Sequence, residues 1–556
     1  MVISGDFGFY EQTTLNESEV SMKRADKICT AEAAVALIKD NDTVATGGFV
    51  GAGFAEEIAI ALEERFLKTG NPRNLTTINA AGQGDSKTKG LNHLGHEGLV
   101  KKVIAGHIGL APKLQQLIRE NKVLGYNFPQ GVVAHLFRDI AAHKPGPITT
   151  VGLGTFVDPR VEGGKLNDLT KKTGEDLIEV ITVGGKEYLW YKSMPINVAI
   201  LRGTTADLDG NVTMEKEALT IDILPLAMAA KNSNGVVIVQ VERIAERKTL
   251  NARQVKLPGI LVDCIVVAKP ENHWQTFGTF YNPAYSAEIT VPMEAIKPLE
   301  MSERKIIARR AAMELRPNSV VNLGIGMPEG VAMVANEEKI IDYLTLTTEP
   351  GAIGGVPGGG LDFGVSSNLD AVILQAEQFD FYDGGGIETC FLGAAEVDMD
   401  GNVNVSKFGT RFVGPGGFIN ISQNSKEVIF VATFTAGGLK VAVQNEKLVI
   451  VEEGKEKKFT KKVQQMTFGG RYAAKIKLPV LYVTERCVFA LREGGIELIE
   501  VAPGIDIEKQ ILAFMDFKPI IKSPGIMDKR IFKAGPMGLA NDIKTHTAEK
   551  KSSAVL

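Results

Sequence analysis

The sequence predicts an α/β protein composed of two homologous α/β domains with mainly parallel sheets. In both halves, short apolar runs suited to buried strands alternate with stretches whose apolar residues recur at helical spacing. Two segments of the first half also recur, in the same order, in the second half. The chain of 556 residues is long enough for two domains that each bury a core.

The elements of the first half follow from capping residues and breakers. Thr30 is placed to cap a helix, and a short strand follows at Val44–Thr46. A glycine-rich loop, 47–56, then leads into a second helix, which we expect to end at Gly70.

The second half repeats this order of elements. Ser302 is placed to cap a helix, a strand follows at Val320–Leu323, and Pro328 suits the first turn of the next helix. The loop sequence Gly53-Phe-Ala-Glu56 aligns with Gly326-Met-Pro-Glu329 at an offset of 273 residues (326 − 53).

A second repeat lies further along each half. Asp207-Leu-Asp-Gly-Asn-Val212 recurs as Asp398-Met-Asp-Gly-Asn-Val403, at an offset of 191 residues (398 − 207). Asp-Gly-Asn between apolar runs is typical of a hairpin or loop turn. Because the two offsets differ by 82 (273 − 191), the first half must carry longer insertions, which we place around 85–175.

The repeats and a proline-bearing hinge, Pro283–Pro298, predict the domain limits. In chain order these are an N-terminal tail (1–25), a first domain (26–290), a linker (291–300), a second domain (301–535) and a C-terminal tail (536–556). Both tails are polar, and we expect them to be disordered.

Composition and charge exclude several classes of protein. The formal net charge of −4 supplies no basic field for nucleic acid. No run approaches the ~18 apolar residues of a membrane span, and the start of the chain lacks the apolar region of a secretory signal. Four cysteines lie far apart without a C-x-x-C pair, which predicts reduced thiols: Cys29, Cys264, Cys390 and Cys487. We therefore expect a cytoplasmic protein without a nucleic-acid or membrane partner.

One carboxylate stands out by its position. In Leu344-Thr-Leu-Thr-Thr-Glu349-Pro-Gly-Ala-Ile-Gly-Gly355, Glu349 lies where a predicted strand, 344–348, stops and a Pro/Gly-rich loop begins. Open α/β sheets collect ligands and catalytic groups at the carboxyl ends of their strands. Taken alone, the pattern is also that of a solvated glutamate at the start of a loop.

Other motifs that carry chemistry are missing. No segment fits the G-x-x-x-x-G-K-[ST] or G-x-S-x-G patterns, and no strict G-x-G-x-x-G follows a strand. His93 and His96 stand beside Glu97 at a spacing that could hold a metal. A third ligand is not evident, and a surface helix turn with hydrogen-bonded imidazoles explains the pattern, so we expect no metal site.

Four motifs together resemble one family. In chain order they are Tyr126-Asn-Phe-Pro-Gln-Gly131, Gly154-Thr-Phe-Val-Asp-Pro-Arg160 with Gly163-Gly-Lys165, Thr347-Thr-Glu-Pro-Gly-Ala-Ile-Gly-Gly355, and Gly414-Pro-Gly-Gly-Phe418. In this order they resemble family I coenzyme A transferases, most of all the fused-chain acetate or propionate type. The resemblance runs from about residue 26 to 535, and the family's tandem α-subunit-like and β-subunit-like halves match the repeat. One departure is Pro350, where some members carry a different residue, such as Asn.

The resemblance implies a reaction and a set of site residues. Coenzyme A would pass between acyl-CoA and free short-chain carboxylates such as acetate, propionate or butyrate, in a ping-pong reaction through a glutamyl-CoA thioester on Glu349. Coenzyme A is then a substrate, and no cofactor is expected. The partners implied are acyl-CoA, short-chain carboxylic acids and further copies of the chain, as a dimer or tetramer. The other implied site residues are Gln130 and Gly417 as backbone oxyanion donors, and Gly414, Gly416, Phe418 and Lys440 as coenzyme A contacts.

Each of these residues also has a purely local explanation. Gln130 fits a plain turn, Gly414–Phe418 fits a tight loop that feeds a short strand at Ile419–Ile421, and Lys440 fits a solvated surface lysine. Two other functions also remain open at this stage. One is an acyl-CoA hydrolase that uses the same glutamate, and the other is a non-catalytic regulator that binds coenzyme A or a sugar phosphate.

Overall fold

A computed structural model describes residues 26–292 and 298–542 of the chain. The first half is built on a seven-stranded sheet in which every neighbouring pair is parallel. Across this sheet the strands follow the order Cys264–Val267, Val236–Val241, Val198–Arg202, Thr43–Thr46, Leu75–Asn79, Val100–Ala105 and Leu124–Asn127.

The second half is built on a ten-stranded mixed sheet with a parallel centre. Antiparallel pairs extend it on both sides, and its last strand pairs in parallel at the edge. Its strands follow the order Ala371–Val372, Ala352–Ile353, Leu344–Thr347, Ser319–Leu323, Thr389–Gly393, Glu427–Val431, Val480–Val483, Cys487–Arg492, Gly495–Val501 and Ile520–Ile526. The prediction of an α/β fold with mainly parallel sheets is confirmed.

Helices and small sheets complete both halves. The helices are Ala31–Ala36, Glu56–Thr69, Pro112–Arg119, Gln130–Ala141, Asp168–Thr173, Ile223–Asn232, Glu303–Ala312, Glu329–Glu337, Gln375–Asp383, Phe418–Asn424, Gly470–Lys475 and Ile507–Gln510. Strands of the smaller sheets are Ile148–Thr149, Ile178–Val183, Lys186–Tyr191, Thr205–Asp207, Val212–Thr213, Arg243–Ala245, Val255–Leu257, Val356–Pro357, Ser366–Ser367, Glu396–Asp398, Val403–Asn404, Lys407–Phe408, Arg411–Phe412, Thr435–Ala436, Lys440–Gln444, Lys447–Glu452, Glu456–Lys457 and Phe459–Thr460.

The two sheets repeat the same arrangement of five strands. In each half the first strand in the chain lies between the second and a later strand, and two more parallel strands follow on that side. The first half adds Val100–Ala105 and Leu124–Asn127 beyond its second strand. Both added strands lie within the segment around 85–175, where the offsets place the insertion.

The Asp-Gly-Asn repeats form matching antiparallel hairpins. In the first, Asp207 Oδ1 accepts from the N–H groups of Asp209 and Asn211, at 3.0 and 2.9 Å. In the second, Asp398 Oδ1 accepts from the N–H groups two and four residues further on, both at 3.1 Å. The shared pattern of hydrogen bonds supports the alignment of the two halves.

One prediction about the cysteines is wrong. Cys29 and Cys264 form a disulfide with a Cα–Cα distance of 6.2 Å, so they are not reduced thiols in this structure. The N–H of Cys29 donates to Ile265 O at 2.9 Å, which aligns the segment around Cys29 with the edge strand Cys264–Val267. A pairing across 235 residues leaves no local sequence pattern. Cys390 and Cys487 are free and buried.

The C-terminal boundary of the second domain also lies further along the chain than predicted. Residues 536–542 were assigned to the C-terminal tail, but Met537 and Leu539 are buried there. Glu338 accepts from the N–H of Leu539 at 3.0 Å, which holds this segment against the helix Glu329–Glu337. Residues 1–25, 293–297 and 543–556, which include most of the predicted tails and part of the linker, lie outside the described residues. Within the described ranges, no helix has the length and apolar character needed to cross a membrane.

Candidate functional site

Glu349 follows the strand Leu344–Thr347, one residue shorter than predicted. The chain then turns sharply, with Gly351 at φ +113° and the N–H of Thr348 donating to Ala352 O at 3.0 Å. A Cβ atom on Gly351 would lie 2.1 Å from Ile373 O, so a side chain at this position would clash with the backbone. This packed turn holds the carboxylate at the carboxyl end of the parallel sheet.

A cavity of about 260 Å³ opens around Glu349 at the contact between the two halves. Apart from Glu349, its polar side chains are those of His107 and Gln130, and the remainder of the lining is apolar or glycine. The lining residues are Phe49, Val50, Gly82, His107, Leu110 and Gln130 from the first half, and Gly324, Ile325, Glu349, Phe363, Leu392, Gly393, Val405, Val413, Gly414, Pro415, Gly416, Gly417 and Phe418 from the second.

The Glu349 side chain is 6% exposed, and its Oε2 atom has no hydrogen-bond partner within the described residues. Burial raises the pKa of this carboxyl from 4.5 to about 7, and a hydrogen bond from its own backbone opposes the rise. A buried and unpaired carboxylate is costly for folding. The position of Glu349 on a cavity therefore indicates a role in catalysis or binding rather than in stabilising the fold.

The glycine loop Gly414–Phe418 packs directly against this carboxylate. A Cβ atom on Gly417 would lie 2.8 Å from Glu349 Cγ. The N–H of Gly416 donates to Gly106 O at 2.8 Å, which ties the loop to the first half. The N–H of Gly417 has no acceptor among the described residues, so it is available as a donor beside Glu349.

The expected strand at Ile419–Ile421 is wrong, because Phe418–Asn424 is a helix. The alternation of two isoleucines around Asn420 imitates a strand over only three residues. The buried Asn420 instead accepts from the N–H of Gly131 at 3.1 Å and donates to Asp383 at 3.0 Å. These contacts with two other helices decide the local structure.

Gln130 lines the cavity as the first residue of the helix Gln130–Ala141. Its backbone N–H was expected to serve as an oxyanion donor, but in this structure it donates to Gly416 O at 2.9 Å. Its side-chain Nε2 donates to Gln375 Oε1 at 2.9 Å. The structure thus brings Gln130 to the site while its backbone donor is already engaged.

Lys440 does not line the cavity. It begins the strand Lys440–Gln444 of a surface hairpin, and its ammonium group forms an ion pair with Glu452 across that hairpin. The sequence-based assignment of Lys440 to coenzyme A therefore remains a prediction without support from the cavity. Glu349, Gln130, Gly414, Gly416, Gly417 and Phe418, by contrast, all lie around one space.

His107 is a residue of the site that the sequence analysis missed. It follows the strand Val100–Ala105, at a strand end of the type that drew attention to Glu349. A Cβ atom on Gly82 would lie 2.3 Å from its Nδ1, and one on Gly109 would lie 2.7 Å from its Cε1, so the ring is clamped between two glycines. Burial, followed by the charge of Arg411, lowers the His107 pKa to about 4, which keeps the imidazole neutral at physiological pH.

The histidines considered as metal ligands pair with carboxylates instead. His93 hydrogen-bonds to Glu63 and, at 2.9 Å, to Glu56, while His96 hydrogen-bonds to Glu63 at 2.6 Å. His93 lies in a 3₁₀ turn and is largely buried rather than at the surface. Among the described residues, no group of three or more His, Cys, Asp and Glu side chains is arranged to hold a metal ion.

Comparison with known proteins agrees with the site. Residues 28–268 match the family model described as coenzyme A transferase. Caffeate CoA-transferase of Acetobacterium woodii is 49% identical over 503 residues, covering 89% of this chain and 95% of the relative. Acetate CoA-transferase YdiF of Escherichia coli (strain K12) is 43% identical over 515 residues, covering 92% of this chain and 96% of the relative.

Solved structures show the same relationship. The crystal structure of acyl-CoA transferase YdiF from E. coli O157:H7, in a thioester complex with CoA, superposes with a TM-score of 0.87 at 41% identity. The superposition covers 92% of this chain and 97% of the YdiF chain. With both halves matched in sequence and in structure, the chain belongs to the coenzyme A transferase family and is an enzyme that transfers coenzyme A between acyl-CoA and carboxylates.

Proposed function

We propose that Glu349 is the nucleophile of a ping-pong transfer that passes through a glutamyl-CoA thioester. The observation that carries this proposal is the position of Glu349, which is buried on the cavity between the halves with one carboxyl oxygen that no described residue pairs. Further support comes from YdiF, which has been crystallised in a thioester complex with CoA.

The reaction balances without an added reactant. A Glu349 oxygen attacks the acyl-CoA carbonyl carbon, the C–S bond breaks, and coenzyme A leaves as a thiolate, so that a mixed anhydride of Glu349 and the acyl group remains. The thiolate then attacks the glutamyl carbonyl carbon, the anhydride C–O bond breaks, and the first carboxylate leaves. A second carboxylate runs the same two steps in reverse and departs as the new acyl-CoA.

Each addition step places negative charge on a carbonyl oxygen, which a preorganised N–H group stabilises. The N–H of Gly417 suits this role because it has no other acceptor in the described ranges and its backbone packs against the Glu349 side chain. The apolar lining of the cavity limits access of water to intermediates that water would hydrolyse.

The cavity also bears on the class of acid. No Lys or Arg lines it within the described residues, so a second carboxylate on the substrate would have no cationic partner there. We propose monocarboxylic acids with short apolar chains, such as acetate, propionate and butyrate. Phe49 and Phe363 pack against each other, with ring centroids 5.7 Å apart, and both line the cavity. This aromatic surface favours a second candidate with a larger planar acyl group, the class that caffeate represents.

The central experiment is mass spectrometry of the enzyme incubated with acyl-CoA. The peptide containing Glu349 should gain coenzyme A covalently, and borohydride should then inactivate the enzyme irreversibly. Glu349→Gln should abolish the adduct, whereas the matched control Glu329→Gln should retain it, because Glu329 does not line the cavity. A wild-type peptide that stays unmodified during turnover would refute the proposed intermediate.

Acceptor assays then separate the alternatives for substrate and acceptor. Initial rates with acetate, propionate, butyrate and caffeate at a fixed acyl-CoA concentration rank the two classes of acid. A transferase forms new acyl-CoA only when a carboxylate is supplied, whereas a hydrolase releases free thiol regardless. Double-reciprocal plots for the two substrates should be parallel, and converging lines would indicate a ternary complex.

A further inference from the structure

Behind the cavity, a chain of three buried side chains leads away from Gln130. Gln130 Nε2 donates to Gln375 Oε1 at 2.9 Å, and Gln375 Nε2 donates to Asp222 Oδ2 at 2.7 Å. Gln130 is 2% exposed, Gln375 is 0% exposed and Asp222 is 3% exposed. Because Gln130 lines the cavity, Asp222 is connected to the site without touching it.

The series of hydrogen bonds from Gln130 through Gln375 to Asp222 crosses between the two halves twice, and each of the three residues lies at the start of a helix. Gln130 and Gln375 are each the first residue of a helix, and Asp222 immediately precedes the helix Ile223–Asn232. The N–H of Gln375 donates to Ile221 O at 3.0 Å, which locks the second half to the segment that carries Asp222. The three side chains therefore have little freedom to move relative to one another.

The charge of Asp222 determines the orientation of the side-chain amides of Gln375 and Gln130. An ionised carboxylate can only accept hydrogen bonds, so Gln375 must direct its NH₂ group towards Asp222 and its oxygen towards Gln130. Gln130 must then donate its NH₂ group to Gln375, which leaves its own Oε1 on the cavity side. That oxygen lies 3.7 Å from the position of a Cβ atom on Gly416, another residue of the lining.

A protonated Asp222 can also donate, which allows both hydrogen bonds to reverse. Its O–H would donate to Gln375 Oε1, Gln375 Nε2 would donate to Gln130 Oε1, and Gln130 Nε2 would face the cavity. We propose that Asp222 is a positioning residue for coenzyme A transfer, and that its protonation state, relayed by Gln375, decides whether Gln130 offers an acceptor or a donor to the substrate. The proposal rests on the transfer reaction proposed above.

The surroundings of Asp222 place this change in an accessible pH range. Burial raises the pKa of Asp222 to about 7, while His135, Arg138 and the hydrogen bond from Gln375 oppose the rise. His135 and Arg138 lie on the helix Gln130–Ala141, and both face Asp380 of the helix Gln375–Asp383. The other charged or titratable groups near the cluster are Asp383, which faces His135, and Arg202, which lines a small cavity together with Asp222.

A donor on the cavity side favours a carboxylate substrate, and an acceptor disfavours it. By linkage, carboxylate binding should favour the protonated form of Asp222. The wild-type KM for the acceptor carboxylate should therefore rise as pH increases through about 7, by up to about tenfold between pH 6 and pH 8.

The test compares KM–pH profiles of two variants. Asp222→Asn keeps the shape but cannot titrate, so its KM for the carboxylate should be nearly independent of pH. Asp383→Asn is the matched control, because burial also raises the pKa of the partly buried Asp383, to about 6, but Asp383 accepts from Asn420 and Asn424 rather than from Gln375. It should keep the wild-type profile. A purely structural role for Asp222 would lower activity without flattening the profile.

A double-variant cycle supplies the second readout. Gln375→Ala breaks the relay, so adding Asp222→Asn to it should change the KM profile no further. Additive effects, or a wild-type profile in Asp222→Asn, would overturn the proposal. If wild-type enzyme still forms the coenzyme A adduct on Glu349 in that case, only the relay fails. If the adduct itself is absent, the transfer mechanism fails first.

Discussion

The two halves of the molecule share one sheet arrangement but differ at a single decisive position. The N–H of Gly47 donates to Ile200 O at 3.0 Å, and the N–H of Gly324 donates to Phe391 O at 2.9 Å. Each glycine directly follows the first strand of its half, so these equivalent bonds place the two strands in the same register.

From this register, the partner strands can be compared residue by residue. One position before the end of the first strand, Ile78 is the partner in the first half and Thr347 is the partner in the second. Two residues further along, Ala80 in the first half corresponds to Glu349 in the second. The same framework therefore places a methyl group in one half and the proposed nucleophile in the other, and the first half contributes walls of the cavity instead.

The largest effect on the rate of transfer should come from replacing the carboxylate of Glu349. Glu349→Gln should lower the rate of transfer by at least ~10³-fold, because the covalent route needs a carboxylate oxygen. Glu349→Asp should also be severely impaired, since a carboxylate withdrawn by one methylene loses the near-attack distance. Steady-state transfer from propionyl-CoA to acetate is the measurement, and a largely active Glu349→Gln enzyme would contradict the assignment.

The second effect concerns the need for both halves. If the hinge Pro283–Pro298 is mainly a tether, the two halves should still pair after it is cut, and residues before and within it do contact the second half. Thr279 donates to Asp362 at 2.9 Å, and the N–H of Val291 donates to Asn368 at 2.8 Å.

A gene cut between Pro292 and Pro298 should therefore leave Thr279 and Val291 on the first piece, where they can still contact the second piece. Co-expressed pieces should co-purify and transfer coenzyme A, while neither piece alone should do so, because the cavity takes its walls from both halves. Coenzyme A exchange by each piece and by the pair is the measurement. Normal catalysis by the second piece alone would show that the first half is not part of the site.

The third effect is a pH dependence of the first chemical step. Glu349 must be ionised to attack, and its pKa is raised to about 7. Below that value the ionised fraction falls, so kcat/KM for acyl-CoA should drop about tenfold per pH unit and level off above pH 7. Initial rates between pH 5 and pH 9 test this, and a profile that stays flat down to pH 5 would show that Glu349 keeps an ordinary pKa.

The fourth effect is on stability and has the opposite sign to the effect on activity. Glu349 has a folded-state pKa of about 7 against 4.5 when unfolded, so wild-type stability falls as pH rises between these values. Glu349→Gln removes that penalty and should be more stable than wild type by ~3 kcal/mol at pH 8, with the gap closing towards pH 4.5. Urea unfolding of both proteins at several pH values is the measurement, and a gap that does not change with pH would contradict it.

The smallest effect should be at Lys440. Because its ammonium group is exposed and pairs with Glu452 outside the cavity, Lys440→Ala should change KM for acyl-CoA by no more than about twofold. Glu452→Ala is the matched control on the same hairpin. A large rise in KM in the lysine variant alone would show that coenzyme A extends to this surface and would restore the sequence-based assignment.

Much of the fold could be predicted because it depends on local chemistry. Thr30 and Ser302 cap helices by accepting hydrogen bonds from N–H groups three residues on, and the Asp-Gly-Asn segments close hairpins through their own side chains. Helices begin at Glu56 and Glu329, the aligned ends of the glycine loops. Residues within four positions of one another determine these features, so the sequence alone determined them, together with the placement of Glu349 at a strand end.

Tertiary structure alone decided what surrounds that glutamate. The raised pKa of Glu349 and the engaged N–H of Gln130 depend on contacts between segments far apart in the chain, as does the lack of an acceptor for the Gly417 N–H among the described residues. The same reason explains the Cys29–Cys264 disulfide and the helix at Phe418–Asn424, which local patterns misrepresented. Desolvation and hydrogen-bond partners are properties of the packed cavity, because they depend on which groups exclude water from a side chain, and no local sequence pattern encodes that.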